Sequence, residues 1–499
     1  MKERIAAVTN PVLPVFGAFV AAMACLLPAS AFAATPTAPM QADEDVQPTP
    51  GGLSGGPFGF LTGISKSEAM LGDMWGLRTA LAKYGISFTL QEISEVLGNV
   101  TGGIHHAAAY DGLAQVGLQL ETERAFGFHG GTFNVSALQI HGRNLSADNL
   151  LSLQTASGIE ADRSTRLWEL WYQQKFLDDD RFDIKVGQQS LDQEFMVNPN
   201  GAYLINTMFG WATVPSYDFP GGGPAYPLSA LGVRARYHPI EPLTLMAGVF
   251  NGSPSPNGGV CCSGDPQLQN RSGTNFSVHG GVLVIAEAQF AYPSTGTMLY
   301  ADRQEPLSRV YKVGAWYNSA NFNDQRYDNT GLSLAAPASN GAPRAQHGNY
   351  GVYATADQMV WLDLEESDRS INVFGRVLWA PQADRNLVTF SMNASVTFHE
   401  PFIHRDNDTF SIGMGYSRVS SAAAALDRDT AVFSGTFVPS RGGETYFEMS
   451  YQYQVFPWWQ LQPDLQYVIN PGGGVANPDD PSKRVGSEFI LGLRTTILF

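Results

Sequence analysis

The feature of this sequence that most constrains its fold is a two-residue alternation of apolar and polar side chains, which recurs from about residue 86 to the last residue. In 390–398 (FSMNASVTF) every second side chain is apolar, and 447–455 and 459–469 follow the same rule. Successive side chains of a β-strand point to opposite faces, so each segment has one apolar and one polar face. The alternation therefore predicts strands.

About sixteen segments share this pattern, and helical patterns are few and short. The predicted strands lie near 86–97, 112–123, 132–141, 166–175, 182–188, 228–238, 243–250, 281–291, 310–318, 349–361, 370–379, 390–398, 409–417, 447–455, 459–469 and 486–499. The helical patterns are 74–84 before the first strand, 201–211, and a single turn at 421–426. We predict an all-β fold.

Two architectures contain such strands. A soluble sandwich or propeller hides the apolar face in a core, whereas an outer-membrane barrel turns it to lipid and its polar face to a lumen. The polar faces here carry Gln, Asn, Glu and Arg in mid-segment, and the chain ends at Phe499 on an amphipathic segment. Aromatic residues lie near segment ends, where barrels place them at the membrane interfaces. They are Trp168, Tyr172, Trp316, Tyr317, Trp361, Trp379, Trp458 and Trp459. We predict a transmembrane antiparallel β-barrel of about sixteen strands, with a short N-terminal helical segment and long extracellular loops.

Composition and charge exclude two other classes of protein. After the first 33 residues, no apolar run reaches the ~18–20 residues that a membrane-spanning helix needs, so a bundle of membrane helices is excluded. The chain has 30 basic and 46 acidic residues, and a net charge of -16 with no Lys/Arg-rich block. Nucleic acid is therefore not an expected partner.

The N-terminus has the three parts of a secretory signal peptide. Lys2 and Arg4 precede an apolar stretch at about 12–27, and AFA at 31–33 supplies the small residues before a cleavage site. The next segment is rich in Pro, Gly and Thr, as a flexible extension would be. We expect three parts: a signal peptide (1–33), a linker or periplasmic extension (34–69), and an outer-membrane barrel (70–499).

The three cysteines offer little to the fold. Cys25 falls inside the predicted signal peptide, and Cys261 and Cys262 are neighbours in a Gly/Pro/Ser-rich stretch. Adjacent cysteines can form a strained vicinal disulfide or remain a plain loop feature, but they cannot link distant parts of a fold. With no histidine nearby, they are a poor zinc site, and we expect no metal.

The strand number points to a pore, because barrels of sixteen to eighteen strands leave an aqueous channel. Short links occur at 239–242, 400–408 and 456–458, and long gaps at 189–227, 251–280, 319–348 and 418–442. Of these, 189–227 is the preferred candidate to narrow the lumen, because it is long and contains the flexible stretch FPGGGPAYP.

Several stretches resemble the carbohydrate-selective porins of the OprB type. They are LGDMWGLRTALAKYGISFTLQEISEVLGNVTGG (71–103), WELWYQQKF (168–176), KVGQQSLDQEFMVNPNGAYLINTMFGW (185–211), YPLSALGVRARY (226–237), GDPQLQNRSGTNF (264–276), VIAEAQFAY (284–292), YKVGAWYNSANFND (311–324) and LQPDLQYVINPGG (461–473). The resemblance covers about 70–499 and leaves out the linker and the cysteine pair. It implies a sixteen-stranded barrel in a Gram-negative outer membrane, through which mono- and small oligosaccharides diffuse passively past an internal constriction. The expected partners are carbohydrate solutes and outer-membrane lipid, with no cofactor, in a monomer or a homotrimer.

A sugar channel must exchange a solute's hydration for weak side-chain hydrogen bonds. Planar polar groups suit hydroxyls, and an aromatic face suits the apolar side of a sugar ring. The candidate pore-lining residues are Glu169, Trp171, Arg234, Arg236, Asn372, Arg376, Glu448, Gln452, Gln462, Asp464 and Arg494. Trp171 would face lipid if the register slipped by one residue. In the plainer interpretation, these side chains coat a wet wall and pair with one another. The mixture of Arg and carboxylates favours neutral solutes.

Two other functions stay open on the sequence alone. A general or anion-selective porin for small hydrophilic solutes would share most of these features. A β-rich secreted glycoside hydrolase could use two distant carboxylates, and solubility without detergent would favour it. The nine histidines are scattered, HExxH is absent, and the GxSxG match (GLSGG, 52–56) lies in the linker rather than between a strand and a helix. We therefore predict that the chain is not an enzyme.

Overall fold

The structure is a computed structural model that describes residues 67–255, 265–292, 307–363 and 369–499. The predicted signal peptide, nearly all of the linker and the three cysteines lie outside the described residues.

Sixteen of the described strands form one closed barrel, and all neighbours in it are antiparallel. They are β1 (Ile86–Gly103), β2 (Ala108–Glu121), β3 (Gly131–Gly142), β4 (Ser164–Phe176), β5 (Phe182–Gln189), β6 (Ala230–Ile240), β7 (Leu243–Asn251), β8 (Val282–Tyr292), β9 (Arg309–Asp328), β10 (Pro343–Leu362), β11 (Ser370–Trp379), β12 (Val388–His399), β13 (Thr409–Val419), β14 (Gly443–Phe456), β15 (Trp459–Ile469) and β18 (Gly486–Leu498). Two further strands, β16 (Ala476–Asn477) and β17 (Asp480–Arg484), form a separate small hairpin between β15 and β18. The predicted fold class and strand number are confirmed.

The first and last strands close the barrel. Each barrel strand pairs with the next along the chain, and β1 pairs with both β2 and β18. Glu95 of β1 lies opposite Asp111 of β2 on one side and Arg494 of β18 on the other. The segment before β1 supports this seam, because the backbone N–H of Met70 donates to the carbonyl of Leu498 at 2.8 Å.

The two ends of the barrel differ in the length of their connections. At the turn end, short segments such as 177–181, 241–242 and 457–458 join the strands. At the loop end the connections are longer and include 143–163 and 190–229. Short turns at one end and long loops at the other are typical of outer-membrane barrels.

The helices are short and lie before β1 or in the connections between the strands. They are α1 (Leu77–Ala82), α2 (Thr122–Phe126), α3 (Thr213–Asp218), α4 (Pro266–Gln269), α5 (Ser421–Ser434) and α6 (Pro471–Gly474). The pattern at 74–84 forms α1, whereas 201–211 forms two 3₁₀ turns rather than an α-helix. α5 is longer than the predicted single turn, because the hydroxyl of Ser420 caps the N–H of Ala423 and the helix runs on to Gly435 at φ 68°.

One predicted loop is largely strand. The gap 319–348 contains the ends of β9 and β10, which extend as a hairpin beyond the neighbouring strands. The polar residues of this stretch hid its alternation, because strands outside the membrane need no apolar face. No helix in the described part of the chain combines the length and the apolar character needed to cross a membrane.

Burial follows the predicted alternation. On β11, the side chains of Asn372, Phe374 and Arg376 are buried inside the barrel, while Val373 and Val377 are 38% and 45% exposed on its outer face. The same arrangement recurs on the other barrel strands, so the wall is apolar outside and mostly polar inside.

Two aromatic residues predicted to mark a membrane interface lie inside instead. Trp168 and Trp316 are buried, and their rings contact Tyr226 and Phe219 of the segment 190–229, with centroids 6.4 Å and 4.5 Å apart. Their prediction was wrong because a loop folded into the lumen offers aromatic side chains a second apolar environment. The predicted aromatics that are exposed on the outer face include Tyr317, Trp361 and Trp379.

Candidate functional site

All eleven predicted pore residues lie at inward-facing positions of the barrel strands. Trp171, the residue that a one-residue slip would have turned outward, faces inward. Its indole Nε1 donates to Glu169 Oε2 at 3.3 Å, and the Nζ of Lys185 lies 4.0 Å from its ring centroid. Other protein atoms bury most of the set. The buried members are Glu169, Arg234, Asn372, Arg376, Glu448, Gln462 and Asp464. Their contact with a sugar stays a prediction.

The segment 190–229, called the inner segment below, fills much of the lumen. It leaves the wall after β5 and returns at β6, and nearly all of its residues are buried. Two glycines of β13, on a distant part of the wall, show how closely it packs. A Cβ on Gly413 would lie 2.4 Å from the Phe209 ring, and one on Gly415 would lie 1.7 Å from the Met208 sulfur. The inner segment therefore crosses the barrel.

Arg376 of β11 anchors the inner segment. Its guanidinium donates to the carbonyls of Met196 at 3.0 Å, Gly210 at 2.8 Å and Met208, and to Asn393 Oδ1 at 3.2 Å. Guanidinium carries five N–H donors in a rigid fork, which suits a ring of carbonyls. Since Arg376 is buried beneath the segment, it sets the path of that segment rather than presenting its charge to a solute.

Two further predicted residues hold the inner segment from another side. The carboxylate of Glu448 on β14 accepts the backbone N–H groups of Ile205 and, at 3.2 Å, Asn206. The amide of Gln462 on β15 donates to the carbonyl of Tyr203 at 3.0 Å. A negative acceptor strengthens hydrogen bonds to N–H donors, so Glu448 is a firm anchor.

A second loop-end connection, 143–163, is fixed in a similar way by a residue that the sequence analysis missed. Glu444 of β14 accepts the backbone N–H groups of Leu153 at 2.7 Å and Gln154 at 3.3 Å. The sequence pattern could have identified Glu444 as an inward-facing residue, because it alternates in phase with Glu448. Sequence position alone could not show that both carboxylates bind loop backbone.

Arg494 joins the seam of the barrel to the same connection. Its Nε donates to Glu95 Oε2 at 2.8 Å, and a terminal nitrogen donates to Ser157 Oγ at 3.0 Å. Among the remaining predicted residues, Asp464 accepts from Gln466 at 2.7 Å. Arg494 thus also supports a loop.

A chain of ion pairs lines the opposite part of the lumen. Arg234 pairs with Asp183 and Glu194, Lys185 Nζ lies 2.6 Å from Glu194 Oε1, and Arg236 Nε lies 2.7 Å from Asp183 Oδ2. Burial alone would raise the pKa of Glu194, but the charges of Lys185 and Arg234 lower it to about 2. Glu194 is therefore ionised at neutral pH, and the network joins three basic side chains to two carboxyl groups.

A pocket of about 230 Å³ lies beside this network, between the inner segment and β6 to β9. Its lining residues are Gln193, Glu194, Val197, Arg236, His238, Thr244, Met246, Gln289 and Lys312. Arg236 is the predicted residue that reaches it, and its side chain is 33% exposed. Lys312 and Gln289 were missed, although both occupy polar positions of alternating strands.

The chemistry of the pocket is that of hydrogen bonding. Its wall offers guanidinium, ammonium, imidazole, amide, hydroxyl and carboxylate groups around two apolar side chains. Among the residues that the structure describes, no three or more His, Cys, Asp or Glu side chains are grouped to hold a metal ion.

Comparison with known proteins places these features in a family. The profile of the family described as "Carbohydrate-selective porin, OprB family" matches residues 105–499. Porin B of Pseudomonas aeruginosa is 24% identical over 430 residues, which cover 82% of this chain and 88% of that protein. The putative porin QuiX of Acinetobacter baylyi is 21% identical over 455 residues, covering 86% and 93% of the two chains. The high-pH structure of Pseudomonas putida OprB has a TM-score of 0.74 and 24% identity, and the match covers 87% of this chain and 99% of that one, which shows a shared fold.

Proposed function

The chain belongs to the OprB family of carbohydrate-selective porins, and on this premise we propose that it is an outer-membrane channel for the passive diffusion of carbohydrates. The closed sixteen-stranded barrel, with an apolar outer face and a polar lumen, supports this proposal. The long connections of the loop end would face the cell exterior, as they do in bacterial barrels.

The observation that carries the substrate proposal is the polar pocket between the inner segment and β6 to β9. A solute that enters it exchanges water for side-chain hydrogen bonds, which must be weak enough to let the solute leave. Arg236 and Gln289 offer planar donors there, and Thr244 offers a hydroxyl. Mono- and small oligosaccharides carry hydroxyls that can use all of these groups.

The charge arrangement favours neutral solutes over ions. Asp183 neutralises part of the charge of Arg236 and Arg234, and Glu194 does the same for Lys185. A strongly anion-selective channel would need several cations without such partners along its path, whereas in the described pocket Lys312 is the one Lys or Arg without an ion pair, and it donates to the carbonyl of Val197 at 2.6 Å. We therefore propose that the channel admits neutral sugars in preference to organic anions of the same size.

Liposome swelling tests the proposal against its nearest rival, a general or anion-selective porin. Proteoliposomes would be placed in isosmotic solutions of a neutral hexose, a disaccharide, a neutral amino acid and a sugar acid. We expect the hexose to enter fastest relative to its size. Entry rates that depend on size alone would indicate a general porin, and a faster sugar acid would indicate an anion channel.

We propose no catalytic activity for the chain. Family membership supports a transport role, and a barrel with an apolar outer face requires detergent or lipid to stay in solution. Purification as a monodisperse protein without detergent, with release of reducing sugar from an oligosaccharide, would instead support a secreted hydrolase.

A further inference from the structure

One helix at the loop end connects two distant parts of the barrel wall. α5 follows β13 and precedes β14, yet it contacts β9, which the three strands β10 to β12 separate from β13. Four strand-to-strand steps of about 4.8 Å span this part of the wall, and a helix of 14 residues is about 21 Å long. The helix is therefore long enough to bridge the mouth of the barrel between β13 and β9.

The first turn of α5 packs on the inner segment. The hydroxyl of Ser420 caps the helix, and the backbone N–H of Ser420 donates to the carbonyl of Leu387 at 2.8 Å. Ala423 is buried in the same apolar cluster as Trp211 and Phe219 of the inner segment. α5 therefore begins above the chain that fills the lumen, rather than on the outer face of the barrel.

A charged contact fixes α5 to the hairpin that the ends of β9 and β10 form. Arg326 Nε lies 2.8 Å from Asp429 Oδ2, and a terminal nitrogen of Arg326 lies 3.0 Å from Asp429 Oδ1. The Ser333 hydroxyl donates to Asp429 Oδ2 at 2.7 Å. The bonds from Arg326 and Ser333 hold the pKa of Asp429 below its ordinary value, so this carboxyl is ionised at neutral pH. Two parallel bonds between a guanidinium and a carboxylate fix direction as well as distance.

The hairpin has supports of its own besides its contact with α5. The buried carboxylate of Asp328 accepts the backbone N–H of Leu332 at 2.9 Å and the Ser339 hydroxyl at 2.7 Å. The backbone N–H of Gln325 donates to the carbonyl of Asp384, between β11 and β12, at 2.7 Å. Loss of the charged contact would therefore release the helix while the hairpin keeps its place.

We propose that Arg326 and Asp429 set the size of the solute that enters the channel from the loop end. Their contact keeps α5 across part of the mouth, above the inner segment. Without it, α5 moves away from the hairpin and the entrance widens. This inference rests on the proposed channel function, because it adds a size limit to the proposed route for carbohydrates. Small saccharides pass beside the helix, and larger oligosaccharides are excluded before they reach the inner segment.

Polymer exclusion from single channels tests the size limit at each entrance separately. Neutral polyethylene glycols of increasing size are added to one side of a planar bilayer that holds channels of one orientation. The largest polymer that still lowers the conductance gives the size limit on that side. We expect Asp429→Asn and Arg326→Gln to admit polymers on the loop side that the wild-type channel excludes. The limit on the turn side should not change, because α5 lies at the other end of the barrel.

Two further variants separate the ion pair from a general loss of stability. The exchanged variant Arg326→Asp, Asp429→Arg keeps an ion pair of reversed polarity and should restore the wild-type limit on the loop side. Arg405→Gln removes a similar pair at the turn end, where both Arg405 nitrogens lie 2.7 Å from Asp408 oxygens, and should leave the loop side unchanged. Heat-modifiable mobility in gels shows that each barrel is folded.

Three results would overturn the proposal. The first is a wild-type limit on the loop side in folded Asp429→Asn and Arg326→Gln. The second is an equal change of the limit on both sides of the membrane. The third is a limit that stays raised in the exchanged variant, which would exclude the ion pair as the cause.

Liposome swelling distinguishes failure of this inference from failure of the proposed function. We expect the entry rate of a trisaccharide, relative to that of a hexose, to rise in Asp429→Asn and to return in the exchanged variant. If the polymer limit shifts as expected but no saccharide enters wild-type liposomes, the size limit is confirmed and the carbohydrate route is wrong. If saccharides enter and the ratio is the same in all variants, the route is supported and the size limit is overturned.

Discussion

The inward faces of β14, β15, β18, β1 and β2 use their charges differently from the inward faces of β4 to β11. The first group of strands, the acidic half, carries six buried carboxylates: Glu95, Asp111, Glu444, Glu448, Asp464 and Glu488. Every residue of these strands is described, and Arg494 is their one inward-facing Arg or Lys. The second group, the mixed half, carries cations and carboxylates together. Its cations include Arg166, Lys185, Arg234, Arg236, Lys312 and Arg376.

The charged groups that hold the inner segment differ between the two halves: a carboxylate in the acidic half, and both cations and carboxylates, including Glu287 and Asp357, in the mixed half. In the acidic half, Glu448 accepts N–H groups of the segment. In the mixed half, Arg376 and Lys312 donate to its carbonyls, the Lys312 contact to Val197 being 2.6 Å. The acidic half is covered by loop backbone, whereas the mixed half keeps a polar pocket beside its ion pairs. Charge in the acidic half therefore anchors loops, whereas charge in the mixed half anchors the inner segment and also borders the pocket that we propose takes up solute.

The largest expected effect is that of Arg376→Met, which removes the strongest anchor of the mixed half. The carbonyls of Met196, Met208 and Gly210 would lose a charged donor while buried. We expect the free energy of unfolding in urea to fall by about 3 kcal/mol. Single-channel conductance should rise several-fold because the inner segment is released. Arg418→Met, at an exposed outward position on β13, is the control and should change neither quantity. An Arg376→Met channel with wild-type conductance would remove the anchoring role.

Glu448→Ala should have a smaller effect of the same kind from the acidic half. Two backbone N–H groups lose their acceptor, and we expect a loss of about 2 kcal/mol in urea unfolding. Glu448→Gln keeps an amide oxygen and should recover roughly half of that loss, since an uncharged acceptor is weaker. Gln452→Ala is the matched control. Gln452 lies on the same inward face of β14 as Glu448, two positions beyond Ser450. If the Ala and Gln variants behave alike, the carboxylate is not the anchor.

Arg236→Ala should separate solute contact from anchoring. Its side chain reaches the pocket, so we expect the concentration of sugar that half-blocks the ion current to rise about tenfold, or ~1.4 kcal/mol. Unfolding in urea should change little. Arg494→Ala, in the acidic half, should lower the free energy of unfolding and change the half-blocking sugar concentration little, because Arg494 holds Ser157 of the 143–163 connection. A sugar response that depends on Arg494 more than on Arg236 would contradict the division of roles.

The smallest expected effect near neutral pH is that of Glu194 titration on the free energy of unfolding. Its pKa is about 2 in the folded protein, against about 4.3 for an unperturbed Glu. A depressed carboxyl pKa stabilises the folded state above the unfolded value, and this contribution is lost as the pH falls from about 4.3 toward 2. The titration of Glu194 should therefore leave the free energy of unfolding in urea unchanged between pH 8 and 5, and should lower it below pH 4. Glu194→Gln should remove that acid-dependent part, and an unchanged acid response in this variant would exclude Glu194 as its source.

The strands were predictable because alternation is a local property of sequence. The segments 459–469 and 486–499 match β15 and β18 to within one residue. Glu169 and Trp171 share the inward face as expected, since they lie on the same side of a bulge in β4. Lys312 and Gln289 could have been found by the same rule, because they occupy polar positions in alternating segments.

What the sequence could not predict depends on contacts through space. The bulge near Trp168 shifts the alternation of β4 by one residue, which a period-two pattern cannot register. Arg376 meets Met196 across 180 residues of chain, and nothing local marks it as a loop anchor rather than a sugar contact. Other protein atoms bury most of the predicted set, as the plainer interpretation expects, and contact of these residues with a sugar stays a prediction.

The most direct test of the central claim is a sugar titration of ion current through single channels in a planar bilayer. Neutral hexose would be added to the wild-type channel at constant ionic strength. If a polar lumen pocket takes up neutral carbohydrate, the current should fall along a saturating curve, and the half-blocking concentration should move in Arg236→Ala. A current that stays constant at every sugar concentration, in a channel that conducts ions normally, would contradict the account.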